Sequence, residues 1–270
     1  MLRIPEHPLP DDTVAQLAAY QAEVDAAASY ESRVAEAKRL FSLRNKKSNP
    51  AFKTVRETLD RMCSGARRCM YCEDSVADEV EHFKPKDFYP EIVFAWANYL
   101  YACGPCNSGK SNKFPIVSAL SGQIVHLSRE RGEPILAPEA GDAVLFDLRQ
   151  ENPLTYLQLD LQDTFYFEPV SSDEASLEHQ RAKVAIEILR LNVRDYLCRA
   201  RAEAFDSYLA RLDQYVRWRD AGVEPEKLDR LKHSFKRMGH PTVWAEMKRQ
   251  RDQLPALQSL FEQALEALEW

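Results

Sequence analysis

Four cysteines in two close pairs most constrain what this chain can fold into. Cys69 and Cys72 form one C-x-x-C pair, and Cys103 and Cys106 form a second pair further along the chain. Two such pairs are the ligand set of a tetrahedral zinc ion, because each pair presents two thiolates about 2.3 Å from one metal. Four cysteine ligands leave no open coordination position, so we predict a structural zinc (Zn²⁺).

The segment between the two pairs predicts a second, different metal site. Glu81 and His82 are adjacent there, Asn98 precedes the second pair, and Asn107 directly follows its last cysteine. Carboxylate and amide oxygens suit a hard divalent cation, and a nearby imidazole that is not a ligand can act as a base. The residues therefore indicate a hydrolytic site beside the zinc.

The order of these residues resembles the HNH endonuclease motif in its four-cysteine, ββα-metal form. Four stretches carry the resemblance: C-M-Y-C at 69–72, V-E-H-F-K-P at 80–85, F-A-W-A-N-Y-L at 94–100 and A-C-G-P-C-N-S-G-K at 102–110. The patterns E-H-F-x-P and F-x-W-x-N further resemble the HNH subunits that accompany an ATPase in Septu-type and retron-linked anti-phage systems. The motif covers roughly residues 66–118.

The resemblance implies a role for each residue of the motif. Glu81 stands where the family places a first metal ligand, and His82 where it places the general base. Asn98 stands at the middle position, which braces the loop and orients the histidine. Asn107 replaces a frequent histidine at the last position, which favours Mg²⁺ or Mn²⁺ over nickel or zinc at the catalytic site. Lys110 would face the scissile phosphate.

The function implied is metal-dependent hydrolysis of phosphodiester bonds, of DNA, by the effector of a bacterial anti-phage system with an ATPase partner. Two alternatives stay open: a restriction-type HNH nuclease that acts alone, and a non-catalytic zinc-ribbon module that only recruits a partner. The sequence leaves open whether RNA is cut instead, what triggers cleavage, and the oligomeric state.

A competing motif lies in the same residues. The stretch from Gly104 to Ser111 satisfies G-x-x-x-x-G-K-[ST], the phosphate-binding loop of many ATPases. Pro105 removes one backbone N–H from a loop that works by donating such groups, and Cys106 and Asn107 are already assigned to metals. The alternating βα units of that fold are also not evident downstream. We therefore favour the nuclease motif.

Composition and charge limit the remaining possibilities. The 270 residues are 45% hydrophobic, and they contain no apolar run of about twenty residues or signal-peptide core at the start, so we predict a cytoplasmic protein. Six cysteines, four of them in metal-type pairs, suit a reducing compartment; Cys63 and Cys198 are the expected ordinary thiols. A net charge of −6 means that nucleic acid would bind a local patch or a partner's surface.

One such basic patch precedes the motif. Between Arg33 and Arg56 there are eight basic residues against the single acid Glu36. The patch either contacts a phosphate backbone or is a solvated helix face.

The predicted fold class is α+β, predominantly helical, with a small zinc-stapled ββα-metal core between two helical regions. We predict an N-terminal helical segment over 1–65, the nuclease core over 66–118, an irregular connection with a small hairpin over 119–172, and a C-terminal helical scaffold or partner-docking region over 173–270. Asp11 and Asp12 are expected to cap a first helix. A second helix is expected from about Tyr30 to Leu43, and Asn49-Pro50 is expected to begin a third. Strands are expected near Glu79–Phe83 and Ile92–Phe94, and a helix from about Asn107.

Overall fold

The computed structural model describes residues 1–130 and 132–270. About half of the chain is helical, with small antiparallel sheets, which confirms the predicted α+β class. The chain forms two compact units. We call residues 3–63 and 77–152 the cleft unit, and residues 1–2, 64–76 and 153–270 the helical unit. The four segments predicted from the sequence stay a prediction.

Helices lead the cleft unit and small sheets follow them. The elements in chain order are α1 (Asp11–Asp25), α2 (Tyr30–Arg44), α3 (Pro50–Met62), β1 (Glu79–His82), β2 (Tyr99–Ala102), α4 (Gly104–Lys110), β3 (Phe114–Ser118), β4 (Ile124–Leu127) and β5 (Gly141–Ala143). Strands β1 and β2 pair antiparallel, with Glu81 opposite Leu100 and His82 opposite Tyr99. Because α4 packs on β1, these three elements form the predicted ββα arrangement.

Local capping explains where the first helices begin. The Asn49 side chain accepts a hydrogen bond from the Phe52 N–H at 3.3 Å, and Pro50 occupies the first turn, as predicted. Helix α2 begins at Tyr30, as predicted, with a capping box formed by Ser29 and Ser32. The capping prediction for Asp11 and Asp12 was wrong. The cap position is Pro10, and the two acids lie inside the first turn, where they favour the helix dipole.

The structure corrects three other boundaries. The predicted strand at Ile92–Phe94 is absent: a short 3-10 helix (Pro90–Ile92) stands at its start, and the second strand begins only at Tyr99. Helix α4 begins at Gly104 rather than at about Asn107. The expected irregular connection contains a three-stranded sheet in the order β4-β3-β5. Gly141 is required in that sheet, because a Cβ there would overlap the Val117 carbonyl oxygen.

Aromatic side chains form the core that supports the end of β1. Phe41 from α2 and Phe52 from α3 pack edge to face, with 5.6 Å between ring centroids. Phe41 also packs against His82 at 4.3 Å, and Tyr99 contacts the same imidazole at 5.4 Å. These contacts bury His82, whose exposed fraction is 5%. The first helices therefore determine the environment of the motif's histidine.

The helical unit contains a hairpin followed by five helices. Its elements are β6 (Leu157–Leu159), β7 (Phe167–Pro169), α5 (Leu177–Ile188), α6 (Asp195–Asp220), α7 (Pro225–Phe235), α8 (Pro241–Arg249) and α9 (Pro255–Gln263). The hairpin lies within the segment where one was expected, and helices α6 and α7 end shortly before Gly222 and Gly239. Tyr208, Phe235 and Trp244 pack together in its core. None of the helices in the described parts of the chain is both long and apolar enough to cross a bilayer.

Candidate metal centre and active site

The four paired cysteines form one buried cluster. One potential ligand atom from each of Cys69, Cys72, Cys103 and Cys106 lies within 4.8 Å of the others. Cys103 is the N-cap of α4 and Cys106 lies in its first turn, so the helix start fixes the second pair. Thiolates at these separations can share one tetrahedral ion, so the cluster can hold a metal such as zinc. Cys63 and Cys198 lie outside it.

The imidazole of His82 is held in one tautomer. Its Nε2 lies 2.9 Å from the Val93 carbonyl oxygen, and a carbonyl can only accept, so Nε2 carries the proton. Burial, assisted by the positive charge of Lys86, lowers the pKa of His82 to about 3. The ring is therefore neutral at physiological pH, and its Nδ1 is the nitrogen that can accept a proton.

Asn98 and Tyr99 hold the loop that presents the Val93 carbonyl. Asn98 Nδ2 donates to the carbonyl oxygens of Lys84 at 3.1 Å and Ile92 at 3.2 Å, and its Oδ1 accepts from the Lys84 N–H at 2.8 Å. The Tyr99 hydroxyl donates to the same Val93 oxygen at 2.8 Å. Asn98 thus joins both ends of the loop, a geometry that suits the positioning role expected for it.

Glu81 and Lys110 form a buried ion pair. Lys110 Nζ lies 2.6 Å from Glu81 Oε1 and also donates to the His82 carbonyl oxygen at 2.9 Å. Burial raises the pKa of Glu81, and the Lys110 charge opposes this rise. Lys110 is fully buried and does not line the cleft, so it differs from the expectation that it faces a phosphate. Its contacts suit a group that holds the Glu81 carboxylate in place.

A cleft of about 500 Å³ opens beside these residues. Its walls are Glu79, Glu81, His82, Pro85, Lys86, Gly104, Asn107, Ser108, Ser111 and Asn112. Asn107 Nδ2 donates to Glu79 Oε2 at 2.6 Å. Carboxylate and amide oxygens in one cleft are the donors that Mg²⁺ and Mn²⁺ prefer, so Glu81 and Asn107 fit the predicted cation site.

The chain is similar to the Septu protein PtuB of Bacillus thuringiensis. The two sequences are 45% identical over 60 residues, and the match covers 19% of this chain and 23% of that protein. The match therefore spans less than a quarter of the relative's length. No protein-family model matches the chain, and no solved structure matches it.

The competing phosphate-loop motif does not have the geometry that its function needs. Residues 104–110 form the helix α4 itself, whereas a phosphate-binding loop precedes its helix and points its N–H groups inward. Ser111, the last letter of the motif, caps the end of α4 with a φ of 48°. The lysine of the motif, Lys110, forms a buried ion pair with Glu81, so its ammonium does not face a phosphate site.

Three groups at the candidate site were not predicted from the sequence. The Val93 carbonyl is a backbone atom, so no residue pattern could point to it. Lys86 lines the cleft, and its ammonium lies 5.7 Å from the centre of the Phe41 ring. Glu79 had a detectable signal, because residues two apart on a strand share a face and Glu79 is two residues before Glu81.

Loss of the Lys110 charge is expected to destabilise the fold. The Lys110→Met variant leaves the Glu81 carboxylate buried without its cation, and we expect it to lower the free energy of unfolding by about 3 kcal/mol. The double variant Glu81→Gln, Lys110→Met should recover part of that loss, because no charge then remains buried. Urea unfolding without added divalent cation measures both. A single variant as stable as the wild type would contradict the prediction.

The low pKa of His82 predicts that the protein loses stability as the pH falls below about 6.5. An unfolded histidine titrates near pH 6.5, and the folded one at about 3, so the unfolded state binds more protons between these values. The stability that neutral His82 contributes is fully present above about pH 6.5. By pH 5 the free energy of unfolding has fallen by about 2 kcal/mol. The His82→Gln variant keeps an N–H for Val93 but does not titrate. Urea unfolding at pH 7 and pH 5 should show a smaller loss for this variant, and equal losses would contradict the prediction.

Proposed function

We propose that this protein is a metal-dependent HNH endonuclease that hydrolyses phosphodiester bonds of DNA. The observation that carries the proposal is a neutral, tautomer-fixed His82 beside the oxygen donors of Glu81 and Asn107 in one cleft. A base and a cation site next to each other are what phosphodiester hydrolysis needs. The buried cysteine cluster would hold a structural zinc that fixes α4, and with it Asn107.

His82 is proposed as the general base. Its Nδ1 would take a proton from the attacking water while Nε2–H stays bonded to the Val93 carbonyl, as in other orienting hydrogen bonds to a catalytic histidine. A phosphate anion in the cleft would favour the imidazolium that forms, opposing the effect of burial. Glu81 and Asn107 would hold Mg²⁺ or Mn²⁺, which supplies positive charge where negative charge develops on the phosphate.

Binding of nucleic acid would use local positive charge. Lys86 lies in the cleft wall. Lys46 and Lys47 are exposed between α2 and α3. Helix α2 also carries Phe41, which contacts His82. Much of the predicted basic patch is engaged by acids instead: Lys38 pairs with Asp87, Arg39 with Glu36 and Arg44 with Glu23. A patch this small on an acidic chain would bind DNA weakly by itself.

We also propose that the nuclease is the effector of an anti-phage defence system. The similarity to a Septu protein supports this role, although it covers only a short segment. The HNH subunits that the motif resembles act with an ATPase, and we propose such a partner here. The net charge of −6 supports this arrangement, because a partner could deliver the DNA.

The test is cleavage of supercoiled plasmid by purified protein with Mg²⁺ or Mn²⁺, with and without a co-expressed ATPase neighbour. We expect cleavage with the neighbour that stops on chelation of the divalent cation. Cleavage by the protein alone would indicate an autonomous nuclease. Cleavage of RNA but not of plasmid would indicate that RNA is the substrate. Cleavage of neither would favour a non-catalytic zinc module.

A further inference from the structure

Glu79 contacts the proposed cation ligand Asn107 but lies outside the four sequence stretches that carry the motif. It is the first residue of β1, and its side chain is exposed at the cleft wall. Its Oε2 accepts the hydrogen bond from Asn107 Nδ2 at 2.6 Å, which links the start of β1 to α4. The nearest side-chain atom to a Cβ built on Gly104 is Glu79 Oε1, at 3.5 Å, so the carboxylate lies over the first turn of α4.

The orientation of the Asn107 amide decides whether this residue can bind a cation. Rotation of the side-chain amide by half a turn exchanges its oxygen for its nitrogen with almost no change in shape. Only the oxygen can be a ligand, because the NH₂ group has no lone pair to give to a cation. An acceptor that binds the NH₂ group therefore selects the orientation in which the oxygen remains for the metal.

We propose that Glu79 is a positioning residue that holds the Asn107 amide with Oδ1 available to the divalent cation. The inference rests on the proposed function, since it deepens the cation site assigned there. A carboxylate that accepts from a neutral amide forms a charge-assisted hydrogen bond, which is stronger than a neutral one. Outer partners of metal ligands typically contribute 10- to 100-fold in affinity, and for a partially exposed pair we expect about 10-fold.

Glu79 could instead act as a direct ligand or through its charge alone, and the chain offers a way to separate these roles. The side chain of an aspartate at position 107 has no N–H group that could donate a hydrogen bond to Glu79. Its two oxygens are equivalent, so no partner is needed to select an orientation. If Glu79 positions the amide, its removal weakens cation binding only when residue 107 is asparagine. If Glu79 is a ligand or a general attractive charge, its removal weakens binding in both backgrounds.

The experiment is a titration of the zinc-loaded 270-residue protein with Mn²⁺, in which electron paramagnetic resonance measures the free ion. The variants are Glu79→Ala, Glu79→Gln, Asn107→Asp, Asn107→Ala and the double variant Glu79→Ala, Asn107→Asp. Glu91→Ala is the matched control, because Glu91 is an exposed acid of the same unit outside the cleft.

We expect Glu79→Ala to raise the Mn²⁺ Kd about 10-fold, and Glu79→Gln, which keeps an acceptor oxygen, by no more than about 3-fold. In the Asn107→Asp background the loss of Glu79 should leave the Kd unchanged, because the carboxylate at position 107 has no amide to orient. Glu91→Ala should change nothing.

Equal weakening by Glu79→Ala in both backgrounds would overturn the positioning role, and so would no effect in either. In both cases Mn²⁺ binding that is still lost in Asn107→Ala would leave the proposed cation site intact. Wild-type protein that binds no Mn²⁺, or binding that Asn107→Ala does not weaken, would overturn the inference together with the cation site itself.

Discussion

Replacement of His82 by alanine is expected to lower the rate of metal-dependent phosphodiester cleavage by about 10²- to 10⁴-fold, the usual contribution of a general base. The ring is neutral at physiological pH and its Nε2–H is bonded to the Val93 carbonyl, so Nδ1 carries the lone pair that would accept a proton from the attacking water. Alanine supplies no acceptor at that point. The measurement is the initial rate of plasmid nicking under conditions in which the wild-type protein cleaves.

Folding must be separated from chemistry in this test, because His82 packs against Phe41 and Tyr99 and its loss leaves a cavity. The His82→Gln variant fills more of that space and keeps a donor for Val93, yet it lacks a basic nitrogen, so it should be as inactive as His82→Ala. His126→Ala is the matched control, since His126 is exposed in the same unit and lies outside the cleft. Near-wild-type cleavage by either folded His82 variant would show that this residue is not the base.

Local signals explain which parts of the fold could be predicted from the sequence. The starts of α2 and α3 depend on capping residues and a proline next to the helix, so the interactions are short-range and visible in the sequence. The predicted strand at Ile92–Phe94 was wrong because tertiary contacts decide its conformation: the Ile92 and Val93 carbonyls accept bonds from the side chains of Asn98, Tyr99 and His82. Apolar residues alone could not indicate that these carbonyls serve a loop rather than a sheet.

The candidate site was predictable where residue type decides the chemistry. The spacing of the four cysteines predicted a cluster, and the structure places one potential ligand atom from each within 4.8 Å of the others. Glu81, His82 and Asn107 were expected in one site, and all three line the cleft. Lys110 was the exception, because an ammonium one turn after Asn107 could face either solvent or the strand. The burial of Glu81 decides the matter, since a buried carboxylate requires a positive partner.

Replacement of any one of the four clustered cysteines by serine is expected to abolish stoichiometric zinc binding and to lower stability strongly. A structural zinc contributes roughly 10 kcal/mol or more to the folding of small zinc domains. Around Cys69 and Cys72, the described residues 64–76 contain only one isolated β-bridge, Arg68 with Val76, so this segment has little regular structure of its own. We therefore expect a bound metal to add strongly to the turn hydrogen bonds of this segment, such as those from the Cys69 N–H to the Ser75 carbonyl oxygen and from the Glu73 N–H to the Cys69 carbonyl oxygen. The measurements are zinc content per purified chain and thermal unfolding.

The two remaining cysteines provide matched controls. Cys63→Ser and Cys198→Ser should keep one zinc per chain and change stability little, since neither sulfur belongs to the cluster. Full zinc content in a Cys103→Ser or Cys106→Ser variant would contradict the four-cysteine site. Added Mg²⁺ should not restore the stability of the cluster variants, because a hard cation has little affinity for thiolates. Replacement of Mg²⁺ by Zn²⁺ in the cleft should lower the cleavage activity of the wild-type protein. Opposite responses to the two metals would therefore separate a structural zinc from a catalytic cation within one short motif.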